Sequence, residues 1–222
     1  MPAPPDRTFR ALLVDHGGVL TTSLIASFGA FCASVGIKPE TLRTLFAGAY
    51  GGADEGGGVA GLIPQLETGR LDLEDFDRRM AAALSEGLDE SLDPAGLSAR
   101  FFEGVRPDER MIEAVRAARR GGVKTGLISN TWGALAASDH LAGLFDTEVR
   151  SGDVGLRKPE PEIYRVAARR LGVSERECVF VDDIPANVEG ARSVGMWGLL
   201  HRDAAITVPK LEELLGVHLA AN

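Results

Sequence analysis

The sequence predicts an α/β fold in which a doubly wound parallel sheet is interrupted, after its first strand, by a helical insert. An apolar run that ends at Asp15 predicts the first strand. Residues 22–103 then show helical periodicity and contain no strand-like run. From residue 104 onward, helical stretches alternate with short apolar runs, which is typical of parallel βαβ units.

The first predicted strand delivers an acid to the edge of the sheet where ligands bind. Its apolar residues run from Ala11 to Val14, and Asp15 follows them directly. Open α/β proteins bind ligands at the carboxyl ends of their strands. Gly17 and Gly18 allow the backbone to turn sharply at this point. Taken alone, the stretch is equally typical of an ordinary strand and turn with a capping aspartate.

The insert is predicted to contain four helices, each marked by apolar residues at helical spacing. These residues are Leu24, Phe28 and Phe31, then Leu42, Leu45 and Phe46 after Pro39, then Leu62, Ile63 and Leu66, and finally Phe76, Met80 and Leu84. Residues 48–61 include seven glycines. No Gly-Lys-Ser/Thr ending follows them, and Asp54 and Glu55 would repel phosphate. A flexible loop is therefore expected there rather than a phosphate-binding loop.

The rest of the chain predicts four pairs of a helix and a strand. Helices are expected over 107–121, 132–143, 160–171 and 186–194, and strands over 123–128, 145–150, 178–182 and 197–201. With the first strand they form a predicted Rossmann-like core, residues 10–21 and 104–222. Residues 22–103 form a predicted helical insert.

Chemically useful side chains lie where the predicted strands give way to loops. Asp15, Ser129 and the pair Asp182–Asp183 each end an apolar run, and Lys158 precedes a predicted helix. A carboxylate can attack phosphorus, and an acid pair can hold Mg²⁺. A hydroxyl and an ammonium can bind phosphoryl oxygens. Each residue alone is typical of a turn, a helix start or an N-cap. Together and in this order they favour phosphoryl transfer.

In the order of these residues, the chain resembles the haloacid dehalogenase-like hydrolase superfamily. The motifs SNTWG, GLRKPEPEIY and FVDDIPANVEGARSVGM are most similar to the phosphatase domain of bifunctional soluble epoxide hydrolases and its bacterial relatives. The resemblance covers residues 10–201 and implies a helical cap after the first motif. The phrase Glu67-Thr68-Gly69-Arg70, followed by Phe76, also resembles the caps of these proteins.

The resemblance implies a Mg²⁺-dependent hydrolase of small phosphorylated metabolites. Asp15 would be the nucleophile that forms an aspartyl phosphate, and Lys158 would be the second catalytic residue. The implied phosphate-binding residues are His16, Ser129, Asn130 and Lys158. The implied metal ligands are Asp15, the carbonyl of Gly17 and Asp183, with Asp182 nearby.

Position 17 departs from the family pattern, because the acid expected two residues after the nucleophile is replaced by Gly17. Such proton-transferring groups contribute about 10²–10⁴-fold in rate. The substrate could have a leaving group that needs little acid, as in sugar 1-phosphates and acyl or aryl phosphates. Alternatively, His16 could substitute, although strand alternation is expected to direct it away from Asp15. The third explanation is loss of catalysis. A positive φ would be one reason for glycine here.

Three other functions are alternatives to phosphatase activity. A degenerate member of the family could bind a ligand or a partner without catalysis. A 2-haloacid dehalogenase needs no Mg²⁺, so the intact Asp182–Asp183 pair argues against it, as does the lack of an aromatic residue after the nucleophile. A receiver domain carries its acid pair early in the chain and has no cap, and both features argue against it here.

Composition restricts the partners and the compartment. The 222 residues carry a net charge of −8, which argues against nucleic acid and anionic membranes as main partners. Cys32 and Cys178 lie far apart, which favours reduced thiols over a disulfide or a metal site. No signal-like or membrane-spanning run is present, so the cytoplasm is the expected location. A monomer or a homodimer is expected.

Overall fold

A five-stranded parallel sheet forms the centre of the computed structural model, which describes residues 8–50, 59–86, 88–132 and 141–219. The strands are β1 (Ala11–Val14), β2 (Lys124–Ser129), β3 (Thr147–Arg150), β4 (Cys178–Asp182) and β5 (Trp197–Leu200). Their order across the sheet is β3-β2-β1-β4-β5. Because β1 pairs with β2 on one side and β4 on the other, Asp15 follows the central strand.

Helices follow β1 and surround the sheet. They are α1 (Leu24–Val35), α2 (Pro39–Tyr50), α3 (Leu62–Glu67), α4 (Leu73–Leu84), α5 (Leu97–Phe101), α6 (Glu109–Arg120), α7 (Ser151–Val154), α8 (Pro161–Leu171), α9 (Pro185–Ser193) and α10 (Ala204–Leu215). Local signals set several ends: Asp108 caps α6 by accepting from the Met111 amide at 3.0 Å, and Gly172 closes α8 with a φ of 64°. Across the described residues, no helix combines the length and the apolar character needed to cross a membrane.

Apolar side chains cover both faces of the sheet, because consecutive residues of a strand point to opposite faces. Leu12 and Val14 of β1 belong to a buried cluster with residues of α6 and α10. Ala11 and Leu13 belong to a second cluster with residues of α8 and α9. The predicted doubly wound α/β fold is thereby confirmed.

A third apolar cluster contains residues from each of the helices α1, α2, α3, α4 and α5 and lies away from the sheet. It includes Trp132, which follows β2 in the chain. The Trp132 ring lies 5.0 Å from the ring of Phe76 and 5.3 Å from that of Phe102. Trp132 therefore packs where the helices of the predicted cap, residues 22–103, meet the end of β2. The division of the chain at residues 21 and 104 stays a prediction.

The structure differs from the sequence-based elements in a few places. The short helices α5 and α7 and the longer α10 were not predicted. Helices of one turn show too little periodicity, and α10 contains Pro209, a residue that disfavours helix interiors. Residues 133–140 of the predicted helix 132–143, and 51–58 of the predicted loop 48–61, lie outside the described residues. Cys32 and Cys178 are both buried, and they are not joined in a disulfide.

Candidate active site

Three acids meet at the carboxyl edge of the sheet. Asp15 follows β1, Asp182 ends β4 and Asp183 follows it, and one carboxylate oxygen from each lies within 4.8 Å of the others. The pairing of β1 with β4 places Val14 beside Val181. The Asp15 amide continues this ladder by donating to the Val181 carbonyl at 2.9 Å. Parallel pairing therefore brings together acids that are far apart in the chain.

Lys158 lies between two of these acids. Its Nζ atom is 2.6 Å from Oδ1 of Asp15 and 2.8 Å from Oδ2 of Asp182, and only 1% of the residue is exposed. Burial alone would lower the pKa of Lys158, but the charges of Asp15 and Asp182 outweigh it and raise that pKa. The lysine is therefore charged at neutral pH and offsets the repulsion between the carboxylates.

Asp182 is fully engaged by protein donors. Its Oδ1 accepts from the Ile184 amide at 2.8 Å, and its Oδ2 accepts from Lys158 at 2.8 Å. The side-chain nitrogen of Asn187 lies 3.1 Å from each of the two oxygens. This pattern suits a residue that holds Lys158 in place better than one that ligates a metal directly.

Asp183 is half-buried and lies against the backbone of Gly18, whose φ of 73° is left-handed. Burial, and then the negative charges of Asp15 and Asp182, raise the pKa of Asp183 to about 7. A cation would relieve this repulsion, and carboxylate oxygens are the ligands that Mg²⁺ prefers. The donor set of Asp15 and Asp183 therefore fits a Mg²⁺ site.

Asp183→Asn is expected to stabilise the metal-free protein at pH 8. The pKa of Asp183 in the folded state, about 7, lies above the ordinary aspartate value of about 3.9. The contribution of Asp183 to the free energy of folding therefore becomes unfavourable as pH rises from about 4, and it reaches its full size above about pH 7. An amide removes this penalty, so the melting temperature in EDTA should rise by roughly 2–4 °C per kcal/mol recovered.

Thermal melts at pH 8 and pH 4 check this expectation. No gain is expected at pH 4, where the carboxyl group stays protonated in the folded protein. Asp153→Asn, at an exposed aspartate of α7, is the matched control and should change neither melting temperature. A lower melting temperature of Asp183→Asn at pH 8 would contradict the electrostatic account of Asp183.

A cavity of about 700 Å³ is lined by two of the three acids, Asp15 and Asp183. The polar part of its wall contains Asp15, Ser129, Asn130, Lys158, Asp183 and Asn187. The apolar part contains Leu24, Phe28, Leu42, Phe102 and Trp132, of which all but Trp132 come from the predicted cap. Arg43, Arg106 and Arg202 also line it. The cavity can thus hold an anionic group beside the acids and an apolar body beside the cap helices.

His16 lines the same cavity as Asp15 and is half-buried. Strand alternation was expected to direct His16 away from Asp15. That rule does not apply, because β1 ends at Val14 and His16 begins a turn in which its carbonyl accepts from the Leu20 amide at 2.9 Å. His16 therefore lines the cavity, while the direction of its ring relative to Asp15 and its contact with phosphate stay predictions.

Gly17 also lines the cavity. A positive φ does not explain why position 17 is a glycine. Among the two glycines of the turn, the positive φ belongs to Gly18 and not to Gly17. A Cβ atom at position 17 would lie 2.9 Å from Cδ1 of Leu24, the first residue of α1. A side chain at position 17 would therefore require the flexible end of the Leu24 side chain to shift, and no backbone atom stands in its way.

Ser129 and Asn130 continue from the end of β2. Ser129 is buried and lines the cavity. The side chain of Asn130 instead holds the backbone of Lys158: its Oδ1 accepts from the Lys158 amide at 2.8 Å, and its Nδ2 donates to the Lys158 carbonyl at 3.1 Å. Its role in phosphate binding stays a prediction. Through these contacts, the side-chain amide of Asn130 holds the backbone of Lys158 in place.

Two residues at the site carried no role in the sequence-based expectation. Asn187 holds Asp182, and the signal that could have found it is its position within the motif FVDDIPANVEGARSVGM. Glu67 of the cap is fully buried and contacts Asn130. Its signal is the phrase Glu67-Thr68-Gly69-Arg70, which resembles the caps of the family but indicates no role for Glu67.

Comparison with known proteins identifies the family of this chain. The family model of the haloacid dehalogenase-like hydrolases matches residues 9–195, which include β1, the cap and the strand ends of the site. The chain belongs to this family. It is therefore a hydrolase, and Ser129, Lys158 and Asp183, one from each of the three motifs that carry the resemblance, line the same cavity as Asp15.

Relatives of this hydrolase include phosphatases. A sesquiterpene phosphatase of Aspergillus oryzae is 29% identical over 94% of this chain and 98% of its own length. Bifunctional epoxide hydrolase 2 of Sus scrofa is 25% identical over 95% of this chain, which spans only 39% of that protein. A family enzyme of Bacteroides thetaiotaomicron, crystallised with magnesium and inorganic phosphate, shares the fold. It has a TM-score of 0.58 and 20% identity over 87% of this chain and 94% of its own.

Proposed function

We propose that this hydrolase is a Mg²⁺-dependent phosphatase of small phosphorylated metabolites in which Asp15 attacks phosphorus. The observation that carries the proposal is the position of Lys158, whose Nζ lies 2.6 Å from Asp15 and 2.8 Å from Asp182. A buried cation beside a nucleophilic carboxylate can attract a phosphoryl group and neutralise its developing charge. The phosphatases among the relatives support the same reaction.

In the first step, an oxygen of Asp15 attacks phosphorus, and the bond between phosphorus and the leaving oxygen breaks. The products are an aspartyl phosphate at position 15 and the oxyanion of the leaving group. Lys158 and the hydroxyl of Ser129 donate to the phosphoryl oxygens. When bound by Asp15, Asp183 and the Gly17 carbonyl, Mg²⁺ would lower the repulsion between the carboxylates and the substrate.

In the second step, water attacks phosphorus and the bond between phosphorus and the Asp15 oxygen breaks. Asp15 returns to a carboxylate, and inorganic phosphate is released. The acid that commonly assists both steps is replaced by Gly17, and Leu24 lies against that position. The leaving oxygen therefore receives little help from a neighbouring acid, so substrates whose leaving groups depart as stable anions are favoured.

Turnover is expected to depend strongly on the pKa of the leaving group. Aryl and acyl phosphates should exceed alkyl phosphates of similar size by about 100-fold or more in kcat/KM, which is the range that a missing general acid accounts for. The measurement is kcat/KM across substituted phenyl phosphates and size-matched alkyl phosphates. Comparable values for both kinds of substrate would contradict it, and His16→Ala would then test whether His16 supplies the proton.

The double variant Gly17→Asp/Leu24→Ala tests the space at position 17. Gly17→Asp alone places its Cβ 2.9 Å from Cδ1 of Leu24, whereas Leu24→Ala removes that atom. Because that atom is the flexible end of the Leu24 side chain, hydrolysis of alkyl phosphates should rise in Gly17→Asp, rise at least as much in the double variant, and change little in Leu24→Ala. A folded double variant without this gain would show that position 17 does not limit the reaction.

The cavity favours substrates that carry an apolar body. Phe28, Phe102 and Trp132 line it beside the acids. Burying about 100 Å² of apolar substrate surface contributes roughly 2.5 kcal/mol. A relative named as a sesquiterpene phosphatase supports such a substrate class. We therefore expect naphthyl phosphate to have a lower KM than phenyl phosphate, and polar sugar phosphates to be poorer substrates than either.

A phosphate-release screen of the purified protein tests the proposed function. Aryl, acyl, sugar and lipid phosphates are compared with Mg²⁺ and with EDTA. Mg²⁺-dependent release from apolar aryl or acyl phosphates is the expected result. No release from any substrate would favour the second candidate, a catalytically degenerate binding protein, which Gly17 supports because the usual acid is missing.

A further inference from the structure

A buried carboxylate joins the cap to the active site. Glu67 ends α3 and has no exposed surface, and its Oε2 accepts from Arg157 Nε at 2.7 Å and from Asn130 Nδ2 at 3.1 Å. Trp132 Nε1 donates to its Oε1 at 3.5 Å. The Ser151 hydroxyl donates to its carbonyl at 2.5 Å. One residue of the cap therefore holds the loop after β2, the start of α7 and the segment before α8.

Two of these partners lead directly to Lys158. Arg157 precedes it in the chain, and the amide of Asn130 bonds to both the N–H and the carbonyl of Lys158. The side chain of Lys158 in turn lies between Asp15 and Asp182. A displacement of Glu67 would thus shift Lys158 in two ways, through the peptide bond from Arg157 and through the hydrogen bonds of Asn130.

Burial makes this arrangement sensitive to the position of α3. Glu67 is fully buried and Arg157 is 9% exposed. A buried charge is tolerated only when its partner and its hydrogen bonds are in place. We propose that Glu67 is a positioning residue for Lys158. Its carboxylate fixes Arg157 and Asn130, and these two residues hold the lysine between Asp15 and Asp182. Only the kinetic consequence of this proposal rests on the proposed phosphatase function.

Glu67→Gln tests the proposal against a matched control. Asp77 is also a buried carboxylate of the cap, but its Oδ1 accepts from the Ser98 amide at 2.9 Å, within the cap. Glu67→Gln should lower kcat by about 10- to 100-fold, as small misplacements of catalytic groups do. KM should change by less than about threefold, because the apolar wall of the cavity is kept. Asp77→Asn should leave kcat unchanged at temperatures where it is folded.

Chemical labelling of lysines reads out the position of Lys158 without turnover. The chain contains four lysines, Lys38, Lys124, Lys158 and Lys210. Acetylation with peptide mass spectrometry should find Lys158 protected in the unmodified protein, because it is buried and ion-paired. Glu67→Gln should raise its labelling rate relative to Lys38 and Lys210, and Asp77→Asn should not.

The two readouts separate this proposal from the proposed function. Absence of phosphatase activity in the unmodified protein, together with increased labelling of Lys158 in Glu67→Gln, supports the positioning role alone. Unchanged labelling of Lys158 in Glu67→Gln overturns it, as do equal effects of Glu67→Gln and Asp77→Asn. If Glu67→Gln does not fold, Arg157→Lys replaces it, since lysine keeps the charge but not the planar guanidinium. Arg157→Lys should raise the labelling of Lys158, and unchanged labelling there overturns the proposal.

Discussion

Asp15→Asn is expected to lower the turnover of phosphate esters by at least about 10⁴-fold, as removal of an attacking nucleophile does in other enzymes. The amide has nearly the size of the carboxylate, so the pairing of β1 with β4 is kept. It cannot attack phosphorus, and it also removes one of the acids beside Lys158. The measurement is the single-turnover rate with an aryl phosphate and saturating Mg²⁺.

Asp153→Asn is the matched control for this variant. Asp153 is exposed on α7, so its replacement makes the same chemical change away from the acid cluster. It should retain the full rate. A folded Asp15→Asn protein with unreduced turnover would exclude Asp15 as the nucleophile. An unreduced rate of the unmodified protein in EDTA would contradict the proposed role of Mg²⁺.

Lys158→Ala is expected to lower kcat/KM by about 10²–10³-fold, corresponding to roughly 3–4 kcal/mol of transition-state stabilisation. The variant removes the cation between Asp15 and Asp182 and leaves two buried acids facing each other. Their repulsion also opposes the approach of an anionic substrate. The rate should therefore fall for every phosphate ester, whatever its leaving group.

Lys210→Ala provides the control for Lys158→Ala, because Lys210 is exposed on α10. Circular dichroism at the assay temperature establishes that both proteins are folded. A loss of less than about threefold in the kcat/KM of Lys158→Ala, under about 0.7 kcal/mol, would show that Lys158 is structural and not catalytic. A large loss in both variants would point to a general effect of charge on the protein.

The position of the acid cluster could be predicted from the sequence because polar residues mark the ends of apolar runs. Asp15, Ser129 and Asp182 each stand where a strand ends, and parallel strands present those ends at one edge. The strand order, with β1 between β2 and β4, then makes their proximity a consequence of the fold. A polar residue directly after a short apolar run is therefore expected at the edge of the sheet where the strand ends.

Contacts between distant segments could not be predicted in the same way. Glu67 lies 90 residues from Arg157, and Asn130 lies 28 residues from Lys158. Periodicity and local propensity describe single elements and contain no information about which side chains meet. For the same reason, the leucine against Gly17 was unforeseen, although Leu24 was recognised as an apolar position of the first cap helix.

Trapping of the covalent intermediate tests the central claim most directly. The unmodified protein is mixed with an aryl phosphate and Mg²⁺, quenched in acid during turnover, and reduced with borohydride, which converts an aspartyl phosphate to homoserine. Peptide mass spectrometry should then find homoserine at position 15 only when substrate was present. Turnover of the substrate without modification at position 15, or with modification of a different acid, would contradict the account.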